Sequence, residues 1–283
     1  MPPITNSRAK SPNPAEIAPG VFWVGYADVQ TGLHCNPFLI IDGDEAVVID
    51  GGSRPDFPLV MMRILAARID PSSIVALIYS HYDPDLCGSV GHFENIIGRK
   101  DLKIVTEKSN LMFIRHYLVS SQLLSINELD FRFRFSSGRE LRFIRTPYAH
   151  SAGSFATFDE SSGLLFSSDL FGSYGIEGDL FLDLGPECGD CAKPDPCEEG
   201  RTYCPVAGIM RFHREIMPCE KALRYALEQI ATIPFSAIAP QHGRIIREAR
   251  DIEIIWRQLS NLTKIGIDAF AGSRSHFLLD RSK

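Results

Sequence analysis

Residues 78–86 read Ile78-Tyr79-Ser80-His81-Tyr82-Asp83-Pro84-Asp85-Leu86, an apolar strand that breaks into a loop with three potential metal ligands. The strand, residues 74–79, is almost purely apolar, as expected for a strand that is covered on both faces. His81 and Asp83 are two positions apart, so in an extended segment their side chains leave the same side, and Asp85 continues the alternation. This run predicts metal chelation at the end of a buried strand.

Three further potential ligands each follow a strand-like stretch: His150, Asp169 and His242. Four strand ends can converge on one edge of a sheet, where loops can be shaped without disturbing the core. Asp169 is the natural bridging group, because its two carboxylate oxygens can span ions that are ~3.5–4 Å apart. Each residue also has an ordinary alternative, such as a turn cap at Asp85 or Asp169. The six residues in this order nevertheless favour a two-metal site.

The ligand set suits two divalent cations. Three carboxylates and a bridging hydroxide together neutralise the charge of two such ions. Three imidazoles and three carboxylates, without a thiolate, suit iron or manganese, although the usual order of affinities places zinc above ferrous iron. The ligand types therefore leave iron, manganese and zinc open.

The composition is that of a globular protein with an acidic balance. The 283 residues contain 29 Lys and Arg against 35 Asp and Glu, a formal net charge of −6. This balance argues against nucleic acid as a main partner, since phosphate neutralisation needs a basic face. No apolar run approaches the ~20 residues needed to span a bilayer. The polar N-terminus lacks a secretory signal, so we expect a cytoplasmic protein that does not contact a membrane.

Alternating strand-like and helix-like stretches indicate an α/β fold in which two mixed sheets pack together with helices outside. We expect one domain over residues 20–270, with a flexible N-terminal arm over residues 1–19 and a C-terminal tail over residues 271–283. Helical spacing of apolar residues predicts a long helix over residues 211–231, interrupted or restarted at Pro218.

Residues 185–204 are rich in Gly, Pro, acidic residues and cysteine, and they are typical of an inserted loop. They hold four of the seven cysteines: Cys188, Cys191, Cys197 and Cys204. This spacing is consistent with an additional tetrahedral zinc or iron site, with redox-active thiols or with plain loop cysteines. The odd total fits a reducing compartment better than a disulfide framework.

The six spaced residues resemble the signature of the metallo-β-lactamase superfamily, and flanking segments share the resemblance: Asn36-Pro37-Phe38-Leu39-Ile40-Ile41, Val47-Val48-Ile49-Asp50 and Asp169-Leu170-Phe171-Gly172. The closer likeness is to the di-iron domain of the flavodiiron proteins, because Asp83 stands where most of the superfamily has a second His. The resemblance implies a metallo-β-lactamase-like αββα sandwich. It also implies two iron ions with an oxo or hydroxo bridge, held by His81, Asp83 and His150 at one ion, Asp85 and His242 at the other, and Asp169 between them.

Two features bear on the function that this resemblance implies. Leu86 occupies the place where hydrolases of the superfamily have a second-metal His, which weakens the hydrolase interpretation. The sequence ends at Lys283, without the length for the flavodoxin domain that flavodiiron reductases carry. The resemblance therefore implies the oxygen-binding di-iron branch without that domain.

We expect a non-haem di-iron protein that binds or activates O2 as a sensor or carrier. The second hypothesis is an O2 or NO reductase fed by an external electron donor. The third is a metal-dependent hydrolase, such as a phosphodiesterase, with a bridging hydroxide as nucleophile. Tyr174 either donates a hydrogen bond to bound O2 or is an ordinary packed tyrosine. Because related di-iron domains dimerise, we expect a homodimer with a separate redox or signalling partner.

Overall fold

The secondary structure alternates between short strands and amphipathic helices. The computed structural model of the protein describes residues 13–28, 32–117, 119–175, 179–188, 191 and 204–270. Within these ranges the strands are β1 (Ala15–Ala18), β2 (Val21–Trp23), β3 (Tyr26–Asp28), β4 (Leu33–Cys35), β5 (Phe38–Asp42), β6 (Glu45–Ile49), β7 (Ile74–Ile78), β8 (Lys103–Thr106), β9 (Gln122–Ser125), β10 (Arg132–Arg134), β11 (Glu140–Arg145), β12 (Phe155–Asp159), β13 (Leu164–Phe166) and β14 (Ala237–Ala239). The α-helices are α1 (Phe57–Ala66), α2 (Pro84–Cys87), α3 (Val90–Ile97), α4 (Leu111–Ile114), α5 (Pro205–Ile216), α6 (Glu220–Ile230) and α7 (Ala249–Ser260).

The two main sheets are both mixed. The first has the order β1-β2-β5-β6-β7-β8-β9; its pairs are antiparallel as far as β6 and parallel from β6 to β9. The second has the order β10-β11-β12-β13-β14, with β13 and β14 as its parallel pair. A separate hairpin joins β3 to β4. The predicted αββα sandwich of two mixed sheets is confirmed.

Alternate residues of β6 show how the layers are built. Ala46 and Val48 pack on the outer face of the first sheet, in one cluster with residues of α1 and α3. Val47 and Ile49 point the other way, into the cluster that lies between the two sheets. Helices α5, α6 and α7 cover the outer face of the second sheet. Because both faces of each sheet are covered, the strand ends are the places left for a site.

The parallel pairs bring ligand loops to the same edge. Phe166 of β13 is paired with Ala239 of β14, and Asp169 and His242 follow these two residues at the same distance along the chain. The two side chains therefore emerge together. In the first sheet, Ile49 is paired with Ile78, so the loops after β6 and β7 also leave side by side.

Two boundaries differ from the expectations. The flexible arm expected over residues 1–19 is wrong for residues 15–18, because these form β1, an edge strand paired with β2; residues 1–12 and the tail at residues 271–283 lie outside the described residues. The helix expected from residue 211 begins at Pro205, which is tolerated in a first helical turn. Its interruption at Pro218 is confirmed, since α5 ends at Ile216 and α6 begins at Glu220. In the described ranges, none of the helices combines the length and the apolar character that crossing a membrane requires.

Candidate metal centre

Two groups of potential metal ligands lie next to each other at the strand ends. The first contains His81, His150 and Asp169, and the second contains Cys35, Asp85 and His242; in each group the donor atoms all lie within 4.8 Å of one another. Asp83 belongs beside the first group, because its Oδ2 lies 3.3 Å from His150 Nε2. The structure thus brings all six residues expected from the sequence to one place.

Asp169 faces both groups, with a different oxygen toward each. Its Oδ2 lies 2.7 Å from His150 Nε2 and 3.6 Å from His81 Nε2. Its Oδ1 lies 3.4 Å from His242 Nε2 on the opposite side. The residue is 2% exposed, and Oδ1 accepts no hydrogen bond from the described residues. A buried anionic oxygen that accepts no hydrogen bond raises the free energy of the fold unless a cation lies next to it. The arrangement therefore fits a carboxylate that bridges two ions.

Asp83 and Asp85 diverge because a helix begins between them. Asp83 is the N-cap of α2 with an extended backbone (φ −69°, ψ 152°), and Pro84 follows at the start of the helix. Asp85 therefore lies in the first helical turn, and its Oδ2 approaches His242 Nε2 at 3.2 Å. The expectation that Asp85 continues the extended alternation is wrong. The helical turn is what directs it to the second group.

Buried polar residues hold the first group in place. The carboxylate of Asp50 accepts hydrogen bonds from the backbone N–H of Ser80 (2.9 Å) and from its hydroxyl (2.7 Å), which fixes the loop just before His81. Burial raises the pKa of Asp50 to about 6 despite these bonds. The Nδ1 atom of His81 lies 3.1 Å from Ser168 Oγ, so its Nε2 is left to face the carboxylates.

The second group depends on Asn36, which ties the beginning of the described chain to the loop of His242. The Asn36 side-chain amide donates to the carbonyls of Pro240 (2.8 Å) and Gly243 (3.0 Å), and its oxygen accepts from the Trp23 indole N–H (2.7 Å). In the sequence, Asn36 belongs to one of the flanking motifs. The motif does not predict its hydrogen bonds to Pro240 and Gly243, because these residues lie about two hundred positions away.

The carboxylates control the protonation of the imidazoles. Burial lowers the pKa of His81, but Asp169 and Asp83 outweigh it, and the net shift is upward. Burial acts the same way on His150, where hydrogen bonds to Asp169 and Asp83 raise the pKa to about 10. For Asp169 itself, burial raises the pKa but the imidazoles lower it further, to well below its ordinary value. A metal ion must displace these protons, so metal binding would release them.

His213 is buried in a neutral form next to the site. Its Nδ1–H donates to the Ile209 carbonyl (2.8 Å), and its Nε2 accepts from the Phe171 backbone N–H (3.0 Å). Burial lowers its pKa to about 4. Nδ1 is therefore used within α5 and Nε2 attaches α5 to the loop of Asp169, so His213 is a positioning residue rather than a ligand.

Tyr174 does not point its hydroxyl at the ligand groups. The hydroxyl bonds to Glu215, and burial together with this carboxylate raises its pKa to about 12. The ring packs on Phe212 at a centroid distance of 5.1 Å. This placement favours the ordinary packed role among the two alternatives for Tyr174.

The cysteine-rich loop is described only in part. Cys188 is buried and Cys191 and Cys204 are half-buried, whereas Cys197 lies outside the described residues. The ligand groups found in the described ranges do not include these three cysteines. An additional metal in this loop stays a prediction.

A comparison with known protein families identifies the family of this chain. The model of the family described as "ODP family beta lactamase" matches residues 33–243. The chain belongs to this family. The match covers the second sheet, the first sheet from β5 to β9, and all six of the residues predicted from the sequence.

Similar proteins include flavoproteins and flavodiiron proteins, and a chemotaxis sensor. The chain is 26% identical over 224 residues to Diflavin flavoprotein A 1 of Synechocystis, covering 77% of this chain and 35% of that relative. The flavodiiron protein from Giardia intestinalis superposes with a TM-score of 0.71 at 21% identity, over 88% of this chain and 59% of that one. The chemotaxis sensor ODP, solved as a peroxy diiron species, superposes with a TM-score of 0.69 at 21% identity, over 91% and 97% of the chains. These structures show the fold, and the chain spans about a third of the length of the diflavin relative.

Proposed function

We propose that this ODP-family chain is a non-haem di-iron protein that binds O2 and serves as a sensor or carrier. One observation carries the proposal: the carboxylate of Asp169 presents Oδ2 to His150 and His81 and Oδ1 to His242. A carboxylate shared in this way suits two cations ~3.5–4 Å apart. Asp83 and Asp85 would complete the set, one at each ion.

The donor set favours iron over a hydrolytic zinc pair. Asp83 supplies a carboxylate where the superfamily usually has an imidazole, and the added negative charge favours the higher oxidation state of a bound metal. Leu86, directly after Asp85, is fully buried and offers no donor atom. Two ferrous ions at this place would supply the electrons that activate O2.

The ligands differ in exposure, which gives a small molecule a side from which to enter. The side chains of Asp83, Asp85 and His150 are 31%, 35% and 23% exposed. His81 and Asp169 are only 1% and 2% exposed. The buried residues would hold the ions, and the partly exposed ones would form the mouth through which O2 arrives.

The relatives support a sensing role without fixing it. One structural relative is a chemotaxis sensor whose chain is matched over nearly its whole length. The homodimer, the external electron donor or signalling partner and the cytoplasmic location stay predictions. An O2 or NO reductase is the rival function from the same centre.

Metal analysis combined with optical spectra of anaerobically reduced protein tests the proposal. We expect about two iron ions per chain and, on admission of air, a visible absorption band that persists. Zinc occupancy with phosphodiester turnover and no spectral response would contradict it. Addition of a reductant under air separates the two oxygen functions: slow loss of the band supports a sensor or carrier, and sustained O2 consumption supports a reductase.

A further inference from the structure

The second ligand group contains a thiol that the six-residue set does not use. Cys35 Sγ lies within 4.8 Å of the donor atoms of both Asp85 and His242. Atoms that bind one ion at about 2.0–2.3 Å lie up to about 4.6 Å apart, twice the longer bond. Donor atoms that all lie within 4.8 Å of one another therefore meet, or nearly meet, the limit for sharing one ion.

Long-range hydrogen bonds place Cys35 beside His242. The backbone N–H of Asn36 donates to the Gln241 carbonyl at 2.9 Å, and its side chain donates to the carbonyls of Pro240 and Gly243. These bonds lock the residue after Cys35 against the residues on either side of His242. Cys35 is 5% exposed, and Tyr26, its pairing partner on β3, forms a side-chain hydrogen bond with it. These bonds fix the position of the Cys35 thiol next to His242.

An independent observation points to a cation on this side. Asp169 Oδ1, the oxygen that faces His242, is buried and accepts no hydrogen bond from the described part of the chain. A buried carboxylate oxygen that accepts no hydrogen bond costs free energy, and a cation shared with the neighbouring His242 ring, whose Nε2 lies 3.4 Å away, would remove that cost. Oδ1 of Asp169 and the Cys35 group therefore lie around the same position.

Cys87 shows that a thiol near the site is not enough. It lies two residues after Asp85, but its Sγ donates to the carbonyl of His81 at 3.2 Å, and it belongs to the apolar cluster under the first sheet. It is absent from both ligand groups found in the described residues. Cys87 is therefore the matched control for Cys35.

We propose that Cys35 is a thiolate ligand of the second metal ion, together with Asp85, His242 and Oδ1 of Asp169. This inference rests on the proposed two-metal centre and adds the donor that Leu86 does not supply. Binding breaks the S–H bond of Cys35, forms a metal–sulfur bond and releases the proton to solvent. One thiolate and three carboxylates then balance two divalent ions without an added hydroxide.

A thiolate makes the two positions chemically unequal. The first has imidazole and carboxylate donors only, whereas the second would be softer and would prefer zinc, cobalt or iron over manganese. The second ion would also be less able to bind an additional anion, because its own ligands already neutralise its charge. The inference therefore predicts ordered filling of the two positions by thiophilic metals.

Anaerobic cobalt titration tests the inference in a chain whose loop cysteines (Cys188, Cys191, Cys197 and Cys204) are all replaced by Ser. We expect this parent to bind two ions and to show a near-ultraviolet sulfur-to-cobalt charge-transfer band. In Cys35→Ser the band should vanish and the second ion should bind at least about tenfold more weakly. Cys87→Ser should keep both. Cys35→Asp should restore the second ion without the band.

The outcomes separate this inference from the function on which it rests. A parent that binds two ions without the band, or an unchanged band in Cys35→Ser, overturns the role of Cys35 and leaves the two-metal centre standing. A parent that does not bind two ions overturns both. If Cys35→Ser does not fold, X-ray absorption of the zinc-loaded parent decides: a sulfur neighbour at about 2.3 Å supports the thiolate, and its absence overturns it.

Discussion

The two proposed metal positions are built in different ways at the same set of strand ends. The first draws its ligands from neighbouring loops after β7 and β11: His81, Asp83 and His150. The second joins residues from distant parts of the chain: Cys35, Asp85 and His242. Asn36 makes that junction, with hydrogen-bond partners 204 and 207 residues away.

The two positions differ in whether their ligands are brought together by local sequence or by long-range contacts. Two ligands of the first position, His81 and Asp83, come from the single loop after β7, so a short stretch of sequence is enough to indicate it. The second exists only when the end of β4, which carries Cys35, and the loop after β14, which carries His242, have come together. We therefore expect the second position to be the more sensitive to changes outside its own ligands.

Asp169→Asn should have the largest effect, because it alone serves both positions. The amide keeps the shape but loses the charge and one of the two acceptor oxygens. We expect both ions to bind at least about 100-fold more weakly, measured by metal analysis after dialysis. Asp159→Asn is the control, since Asp159 is equally buried but is paired with Arg139 outside the site. Retention of two ions by Asp169→Asn would contradict the shared bridge.

Asp83→Ala and Asp85→Ala should each remove about one ion, but not the same one. Asp83 lies beside His150, and Asp85 lies beside His242. Cobalt-loaded Asp83→Ala should therefore keep the sulfur band, whereas Asp85→Ala should lose most of it. Unchanged metal content in both variants, or identical spectra, would show that Asp83 and Asp85 do not bind different ions.

Asn36→Ala and Ser168→Ala should weaken one position each without touching a ligand. Asn36 supports the His242 loop, and Ser168 orients the His81 ring. Loss of such supporting bonds typically weakens metal binding by about 10–100-fold. We expect Asn36→Ala to weaken binding of the ion beside His242 and Ser168→Ala to weaken binding of the ion beside His81. Competition with a chelator measures both affinities. Equal loss at both positions would argue that the two are not independent.

His213→Gln should alter the pH dependence of stability with the smallest effect on metal binding. The pKa of His213 is lowered from 6.5 to about 4, so its neutral form stabilises the fold above pH 6.5, and this stability is lost as the pH falls toward 4. The difference corresponds to about 3 kcal/mol for a fully buried ring. Gln can replace both hydrogen bonds without titrating.

Urea unfolding of metal-free wild type and His213→Gln at pH 7, 5.5 and 4.5 measures this difference. The site carboxylates and imidazoles are common to both proteins and cancel in the comparison. The free energy of unfolding should fall more steeply with decreasing pH in the wild type. Parallel curves would show that His213 is not buried in its neutral form.

The sequence predicted the architecture and the position of the site for a physical reason. The purely apolar strands must be covered on both faces, so a site cannot lie on a face of the sheet. The loops that follow the strand ends are left for it, and the predicted ligands lie in these loops. The direction of Asp85 was predicted wrongly, although Pro84 is a signal for a helix start. The edge strand β1 was missed because the polar, Pro-containing stretch around it does not alternate clearly.

Cys35 marks the limit of sequence-based reasoning for this site. It precedes the core strand β5, and nothing in the local sequence gives it a role. Its nearness to Asp85 and His242 follows from the bonds of Asn36 to a loop about two hundred residues away. No local pattern encodes that contact, since closing a long loop leaves no trace in the spacing of nearby residues.

Anomalous diffraction at the iron edge, from crystals grown from anaerobic iron-loaded protein, tests the two-metal centre most directly. We expect two peaks ~3.5–4 Å apart with the Asp169 carboxylate between them, one beside His81 and His150 and the other beside His242. A single peak, or two peaks that do not share Asp169, would contradict it.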